Sequence, residues 1–147
     1  MSEYLRKAAK EDIDLLFQWA NEAEVRANSF SAAQISYEEH TKWFQNMLHD
    51  RDRKQYIYMA DDVPVGQIRI DISGDTAEVS YSVCDGCRGK GHGEKMLDLL
   101  QQKLLTDEPE VHRLIAKVKN GNQRSERAFL KLGYYKKCTV FEMKIKK

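Results

Sequence analysis

The 147-residue chain has only three cysteines, an odd number that speaks against a disulfide framework. It has no excess of one charge: 24 Lys and Arg face 23 Asp and Glu. That balance argues against a dedicated nucleic-acid binder. No apolar run approaches the roughly 18–20 residues of a membrane span. The first residues, "MSEYLRKAAKEDIDLL", lack an apolar h-region, so the expectation is a cytoplasmic protein without a signal peptide. There is no repeat, low-complexity tract or long linker, which leaves one domain over 1–147. With 41% hydrophobic residues that domain can bury a proper core. Metal chemistry has little to stand on. Cys84 and Cys87 form a C-x-x-C, but zinc needs two more ligands, and no second Cys or His pair sits at metal spacing. The expectation is no metal and two small residues beside a turn.

What is present is an alternation of elements. "EYLRKA" (3–8) reads as a short strand, and 11–24 as a helix with Ile13, Leu16, Phe17 and Ala20 on one face. Residues 36–48 form a second helix that opens on Ser36 and Glu39, a capping box. Its apolar face holds Tyr37, Phe44, Met47 and Leu48. Strands are expected at 55–60, 65–72 and 76–84, with turns at "DDVPVG" (61–66), punctuated by Pro64 and Gly66, and at "SGD" (73–75). The third strand alternates cleanly: Ala77, Val79, Tyr81 and Val83 against Glu78, Ser80 and Ser82. A helix follows over about 91–105, a strand over 112–119 and a helix over 122–133 ended by Gly133. The last residues, 134–147, read as one or two strands. The order β-α-α-β-β-β-α-β-α-β is mixed α/β.

One stretch in this series carries chemistry. "CRGKGHGEKML" (87–97) puts three glycines and two strong cations, Arg88 and Lys90, between a strand and a helix. A helix N-terminus offers unpaired N–H groups and a partial positive charge. Glycines let a phosphate come close to those groups. The stretch is therefore an anion site. It is not a P-loop, since no Ser or Thr follows Lys90, and its glycine spacing does not fit the dinucleotide-binding fingerprint.

"RGKGHG" (88–93) resembles the [Q/R]-x-x-G-x-[G/A] signature of the GNAT superfamily of acyl-CoA N-acyltransferases. About 30 residues on, "NQRSERAFLKLGYY" is similar to that family's second motif, with Asn122, Ser125, Phe129, Gly133 and Tyr134 in register. The two together cover residues 76–135. The resemblance implies the GNAT fold: a mostly antiparallel sheet, flanked by helices, whose strands 76–84 and 112–119 splay. It implies acetyl-CoA as co-substrate. The N–H groups of Arg88, Gly89, Lys90, Gly91, His92 and Gly93 would hold the pyrophosphate, and the backbone near Val83 would pair with the pantetheine arm. Asn122 would reach the arm from the other side with Ser125 in support, and Phe129 would pack near the thioester.

The acceptor amine must lose a proton to attack the thioester, and the oxyanion that forms needs a donor. Glu78, mid-strand on the polar face, is the candidate base; a plain half-exposed charge is the competing reading. Many relatives carry Tyr where this chain has Phe129, and Tyr is their usual proposed acid. Either Tyr134, Tyr135 or another nearby hydroxyl substitutes, or the thiolate leaves unaided. Tyr134 is the catalytic candidate taken forward.

Residues 19–44 resemble GNATs that acetylate amino sugars on nucleotides, most closely the UDP-4-amino-sugar acetyltransferases of pseudaminic acid biosynthesis. The pattern is carried by Trp19, Asn21, Val25, Arg26, Ser29, Ile35, Ser36, His40, Trp43 and Phe44. This implies a small-molecule amine acceptor, a nucleotide sugar, with Arg26, Ser29, His40 and Trp43 as acceptor-site residues. Aromatic faces suit sugar and uracil rings, and Arg26 suits a diphosphate. Against this, tryptophans on amphipathic helices are often core, and His40 is often a packed histidine. Ribosomal-protein and antibiotic acetyltransferases share parts of the pattern, and some domains of this fold only bind acyl-CoA. No nucleic-acid or membrane partner is expected; a homodimer is.

Overall fold

The computed structural model describes residues 2–145. Its elements are β1 (Glu3–Lys7), a short 3-10 turn (Lys10–Asp12), α1 (Ile13–Ala20), α2 (Ala23–Ala27), α3 (Tyr37–Leu48), β2 (Arg53–Ala60), β3 (Val63–Ser73), β4 (Thr76–Val83), α4 (His92–Asp107), β5 (Arg113–Ala116) and α5 (Gln123–Lys131). The strands form one sheet in the order β1-β2-β3-β4-β5. The first four are mutually antiparallel, and β5 runs parallel to β4. This is the mixed α/β, mostly antiparallel sheet flanked by helices that the resemblance implied.

Alternation decides the two faces of the sheet. On one, Tyr56, Tyr58, Ile68, Ile70, Ala77 and Val79 meet Met96, Leu97, Leu100 and Leu104 of α4 and Ala128 and Phe129 of α5. Burying each such side chain contributes about 1.5–3 kcal/mol. Gly66 is what lets α4 sit down there. A Cβ at that position would lie 2.5 Å from the Ser82 carbonyl oxygen and 2.8 Å from Met96 Cε. The opposite face is only half apolar. Ile57 and Met59 pack with Leu16, Phe44 and Met47 of α1 and α3. The rest of that face is a polar strip set by register: Arg53, Asp71 and Glu78 in one row, Gln55, Arg69 and Ser80 in the next, then Gln67 and Ser82. Gln55 Nε2 donates to Gln67 Oε1 at 2.9 Å, and Gln67 Nε2 to Ser82 Oγ at 3.0 Å.

Four local expectations are corrected. The helix expected over 11–24 is broken at Asn21 and Glu22, and α2 continues in a new direction. Asn21 is spent on the loop that follows, donating to Ile35 O at 2.7 Å and accepting from Ile35 N–H at 2.7 Å. The β2–β3 turn is Asp61-Asp62 itself, both with positive φ (50° and 63°), a conformation Asp tolerates. Pro64 and Gly66 lie inside β3, with a register shift opposite them at Tyr58/Met59 that absorbs the missing Pro N–H. β5 is shorter than the expected 112–119. Finally, residues 134–145 form no strand: apart from the Tyr134 N–H, which donates to Phe129 O at 3.0 Å, no backbone hydrogen bond holds them among the described residues, and Val140, Phe141, Met143 and Ile145 are exposed. Lys146 and Lys147 of that expectation lie outside the described residues. The cap on α3 is as expected, with Ser36 Oγ accepting from the Glu39 N–H at 3.1 Å.

Asp12 joins β1 to α1. Its carboxylate accepts two hydrogen bonds from Arg6, at 2.8 and 2.9 Å, and one from the Ala9 N–H at 2.8 Å. The Arg6 guanidinium holds the Asp12 carboxyl below the usual carboxylate range, and the Ala9 N–H adds to this. A depressed folded-state pKa gives stability that is full above the unfolded value of about 3.9 and is lost as pH falls through the folded value. Asp12→Asn is therefore expected to cost about 1–3 kcal/mol in denaturant unfolding at pH 7. The gap to the parent protein should close as pH falls below the usual carboxylate range and Asp12 is protonated in the folded state.

Candidate active site

The sheet opens between β4 and β5. Pairing runs from Thr76–Arg113 to Val79–Ala116 and stops. From there the two backbones diverge, and a cavity of about 1190 Å³ passes through the gap. Glu78, Ser80, Tyr81, Ser82 and Val83 line it from β4, and Lys117, Val118 and Lys119 from beyond β5. Gly89, Gly91, His92 and Gly93 close one end, and α1–α3 roof the polar face.

The glycine end has the geometry of an anion cradle. Gly89 and Gly91 have φ of 80° and 81°, and an added Cβ at either would meet nothing within 4 Å. Gly91 is the N-cap of α4, so the free N–H groups of the first turn point where the glycines leave backbone bare. His92 is held by its Nδ1, 3.1 Å from the Tyr58 hydroxyl, which also bonds Glu3 Oε2 at 2.7 Å. A phenol that donates to the carboxylate must accept from the histidine, so Nδ1 carries the proton. Lys90 is exposed and does not line the cavity. Arg88 lines it, but its guanidinium is turned to Glu22, to Glu24 at 2.7 Å and to Asp85 at 3.6 Å. Its charge therefore clamps α2 to the loop rather than standing free for a phosphate. Lys119 does similar work, donating to Ala27 O at 2.8 Å.

On α5, Asn122 caps the helix, its Oδ1 accepting from Ser125 N–H at 3.3 Å. Ser125 Oγ in turn lies 2.9 Å from the Tyr81 hydroxyl. Phe129 packs edge-on to Tyr81, with ring centroids 5.7 Å apart. Tyr134 does not take the place proposed for it. It packs against Phe129 with ring centroids 4.9 Å apart, its hydroxyl is buried without a partner among the described residues, and it is absent from the cavity wall. Burial alone pushes its pKa up to about 12. Tyr135 is exposed.

Across the gap, Glu78 faces the polar side, 3.0 Å from Lys117 Nζ. The acceptor-site residues read from the sequence, Arg26, Ser29, His40 and Trp43, all line the cavity and separate into two kinds. Arg26 is structural: it donates to Ala20 O at 2.7 Å, Ser31 O at 3.2 Å and Ser29 Oγ at 3.2 Å. Ser29 Oγ also donates to Val25 O at 2.6 Å. His40 is a packed histidine, stacked on Phe44 at 5.9 Å with Nε2 3.1 Å from Ile13 O. Burial lowers its pKa. Trp43 does present its ring to the cavity, and Arg69 lies over it with Cζ 4.9 Å from the centroid. Arg69 lies outside the motifs; with Arg6, Lys7 and Arg26 it is one of the basic residues that the sequence makes available to a nucleotide-sugar site, and of these four Arg26 and Arg69 line the cavity.

A family model described as an acetyltransferase (GNAT) domain matches residues 4–135. The chain belongs to the GNAT family. It is an acetyl-CoA-dependent N-acetyltransferase, and the cradle, the parted strands and the Asn122 cap fit that co-substrate. Among solved structures it is similar to the aminoglycoside acetyltransferase AAC(6′)-Ib with coenzyme A and kanamycin, at 21% identity and a TM-score of 0.82 over 95% of this chain and 87% of that one. The spermidine N-acetyltransferase of Vibrio cholerae, with CoA and spermine, is similar at 15% identity and a TM-score of 0.85, over 96% and 85%. RimL, a ribosomal L7/L12 α-N-protein acetyltransferase with coenzyme A, is similar at 21% identity and 0.78, over 90% and 80%. At these identities the likeness is one of fold. Comparison with the curated proteins finds no match.

Gly91→Glu would place a carboxylate in the cradle and force a side chain onto a backbone with φ of 81°. It is expected to abolish coenzyme A binding in calorimetry. Retained affinity in a variant that still melts cooperatively would rule out the cradle.

Proposed function

We propose that the acceptor is the amine of a nucleotide-linked sugar, the 4-amino group of a UDP-sugar being the reading favoured by residues 19–44, and that transfer is direct within a ternary complex. One observation carries this. Arg69 places a guanidinium in the acceptor half of the cavity without a strong partner. Its Nε is buried with no hydrogen bond among the described residues, and the nearest carboxylate, Asp71, is 3.7 Å away. Burial lowers its pKa from the usual arginine value, and Asp71 opposes this. A half-buried guanidinium with that nitrogen unpaired favours an anionic group such as a diphosphate. Trp43 beneath it and Trp19 on the wall suit a sugar or base ring.

The acids of the cavity support the same reading. Glu24 is paired with Arg88, Glu78 with Lys117 and Glu94 with Lys131. Glu39 makes no ion pair among the described residues, and it is the one feature favouring a cationic acceptor such as a polyamine or aminoglycoside.

In this reading Glu78 takes the amine proton, directly or through water, with Lys117 holding the carboxylate at the gap. Glu78→Gln should lower kcat by about 100-fold, within the usual range for a general base. Coenzyme affinity should hardly change. Full activity at neutral pH would remove Glu78 from the role.

The acceptor is tested by thiol release from acetyl-CoA across UDP-linked and dTDP-linked amino sugars, aminoglycosides, polyamines and short peptides. Rapid turnover of a nucleotide sugar supports the proposal. Preference for a polyamine, aminoglycoside or peptide overturns it. Arg69→Met should raise KM for the nucleotide sugar about 10–100-fold, the cost of one charged hydrogen bond. KM for acetyl-CoA should stay within about twofold.

A further inference from the structure

We infer that the Tyr81–Ser125 hydroxyl pair is the hydrogen-bond donor to the sulfur that leaves acetyl-CoA, in a chain whose residue 129 has no hydroxyl to offer. The inference rests on the acetyl-transfer reading of the cavity and not on the identity of the acceptor.

Placement comes first. β4 and β5 part after Val79 and Ala116, so a thioester threaded between them passes Ser80 and Tyr81. Alternation sends Ser80 to the polar face, where Glu78 and Arg69 lie, and Tyr81 to the opposite face, toward α4 and α5. An amine attacking from the Glu78 side pushes the leaving sulfur toward the Tyr81 side. Tyr81, Ser125 and Phe129 all line the cavity there. Ser125 sits one helical turn before Phe129.

Proton counting comes second. Each hydroxyl owns one hydrogen. The mutual bond of 2.9 Å uses one, whichever oxygen donates. One O–H therefore remains without an acceptor among the described residues, in the cavity wall, beside an aromatic ring that has no O–H of its own. Tyr134, the other nearby phenol, is sealed behind Phe129. The position is also made for a ring. A Cβ on Gly93 would lie 3.1 Å from Tyr81 Cε2, so the glycine at the start of α4 gives Tyr81 its room. Burial raises the Tyr81 pKa, which keeps the phenol protonated and able to donate through the neutral range.

The step balances without an added reagent. The amine nitrogen bonds the acetyl carbon, and the carbon–sulfur bond breaks with its electron pair on sulfur. The free O–H donates a hydrogen bond to the sulfur as its charge grows. The proton shed by nitrogen passes to solvent through Glu78, and the thiolate takes one proton from water. The products are an amide and a thiol, and both hydroxyls keep their hydrogens.

A donor that stabilises the thiolate must lower the pKa of the coenzyme A thiol in the binary complex, and no acceptor is needed to see it. The experiment saturates the protein with coenzyme A and alkylates with iodoacetamide across pH. Carbamidomethyl-coenzyme A is counted by mass spectrometry, so the protein's own cysteines do not interfere. With the parent protein the thiol should titrate about one pH unit below its midpoint with the double variant Tyr81→Phe/Ser125→Ala, the shift one good hydrogen bond produces. Either single variant leaves one O–H, so both hydroxyls are removed together. Thermal melting and coenzyme A affinity show that the double variant is folded; if it is not, the comparison is made with Tyr81→Phe/Ser125→Cys. Identical midpoints in the parent and in the well-folded double variant would overturn the proposal. A shift supports it, whichever amine proves to be the acceptor.

Discussion

The separation of two strands governs this molecule. A parallel pair held by backbone hydrogen bonds along its whole length would leave no way through the sheet. Here β4 and β5 pair for four residues each and then part. Donors and acceptors that a neighbouring strand would satisfy are left at the gap, and an extended arm with amide groups can satisfy them as an added strand would. Everything around the opening follows from where pairing stops. Side chains just before it and just after it belong to different faces. In the reaction proposed, one chemical event is served by two walls, a polar one carrying Glu78 and Arg69 and a mixed one carrying Tyr81, Ser125 and Phe129.

Ion pairs hold those walls in place more than they hold ligands. Arg88, Lys119 and Arg26, which a charge count would assign to phosphates, are bound to carboxylates or carbonyls of the segment around α2. Their effect is to fix a five-residue helix, too short to be stable alone, across the mouth of the cavity. What the glycine turn itself offers is bare backbone and the dipole of α4. Partly buried pairs resist salt screening better than exposed ones, so the anchoring is less sensitive to ionic strength than a surface cluster would be.

Much of this was legible in the chain, for identifiable reasons. Period-2 alternation in β4 and period-3.6 spacing in α4 are local signals, and the faces they predicted are the faces observed. Ser36 announced its cap. The glycines from 86 to 93 announced a stretch of bare backbone before a helix, and Gly86, Gly89 and Gly91 all have positive φ there. Failures arose where a residue's use depends on a distant partner. Arg26, Ser29 and His40 line the cavity as the pattern implied, yet their polar atoms bond carbonyls of α1, of α2 and of the loop that follows. Tyr134 stood in register with a motif, but only packing reveals that Phe129 lies between it and the cavity. Tyr81 was read as a core position by alternation alone, and its meeting with Ser125, 44 residues away, is invisible along the sequence. Strand propensity over 134–145 misled because propensity does not supply a neighbour to pair with.

The sheet order carries a kinetic consequence. β2, β3 and β4 are consecutive hairpins joined by two-residue turns, so their pairing closes short loops at little entropic cost. β5 can join only after α4 has crossed over the sheet, and the clamp between Glu22 and Arg88 closes a far longer loop. A folding chain that has completed the meander owns a platform and a core face but no groove. The cavity belongs to the last, longest-range contacts, which are also those whose loss would leave most of the fold standing.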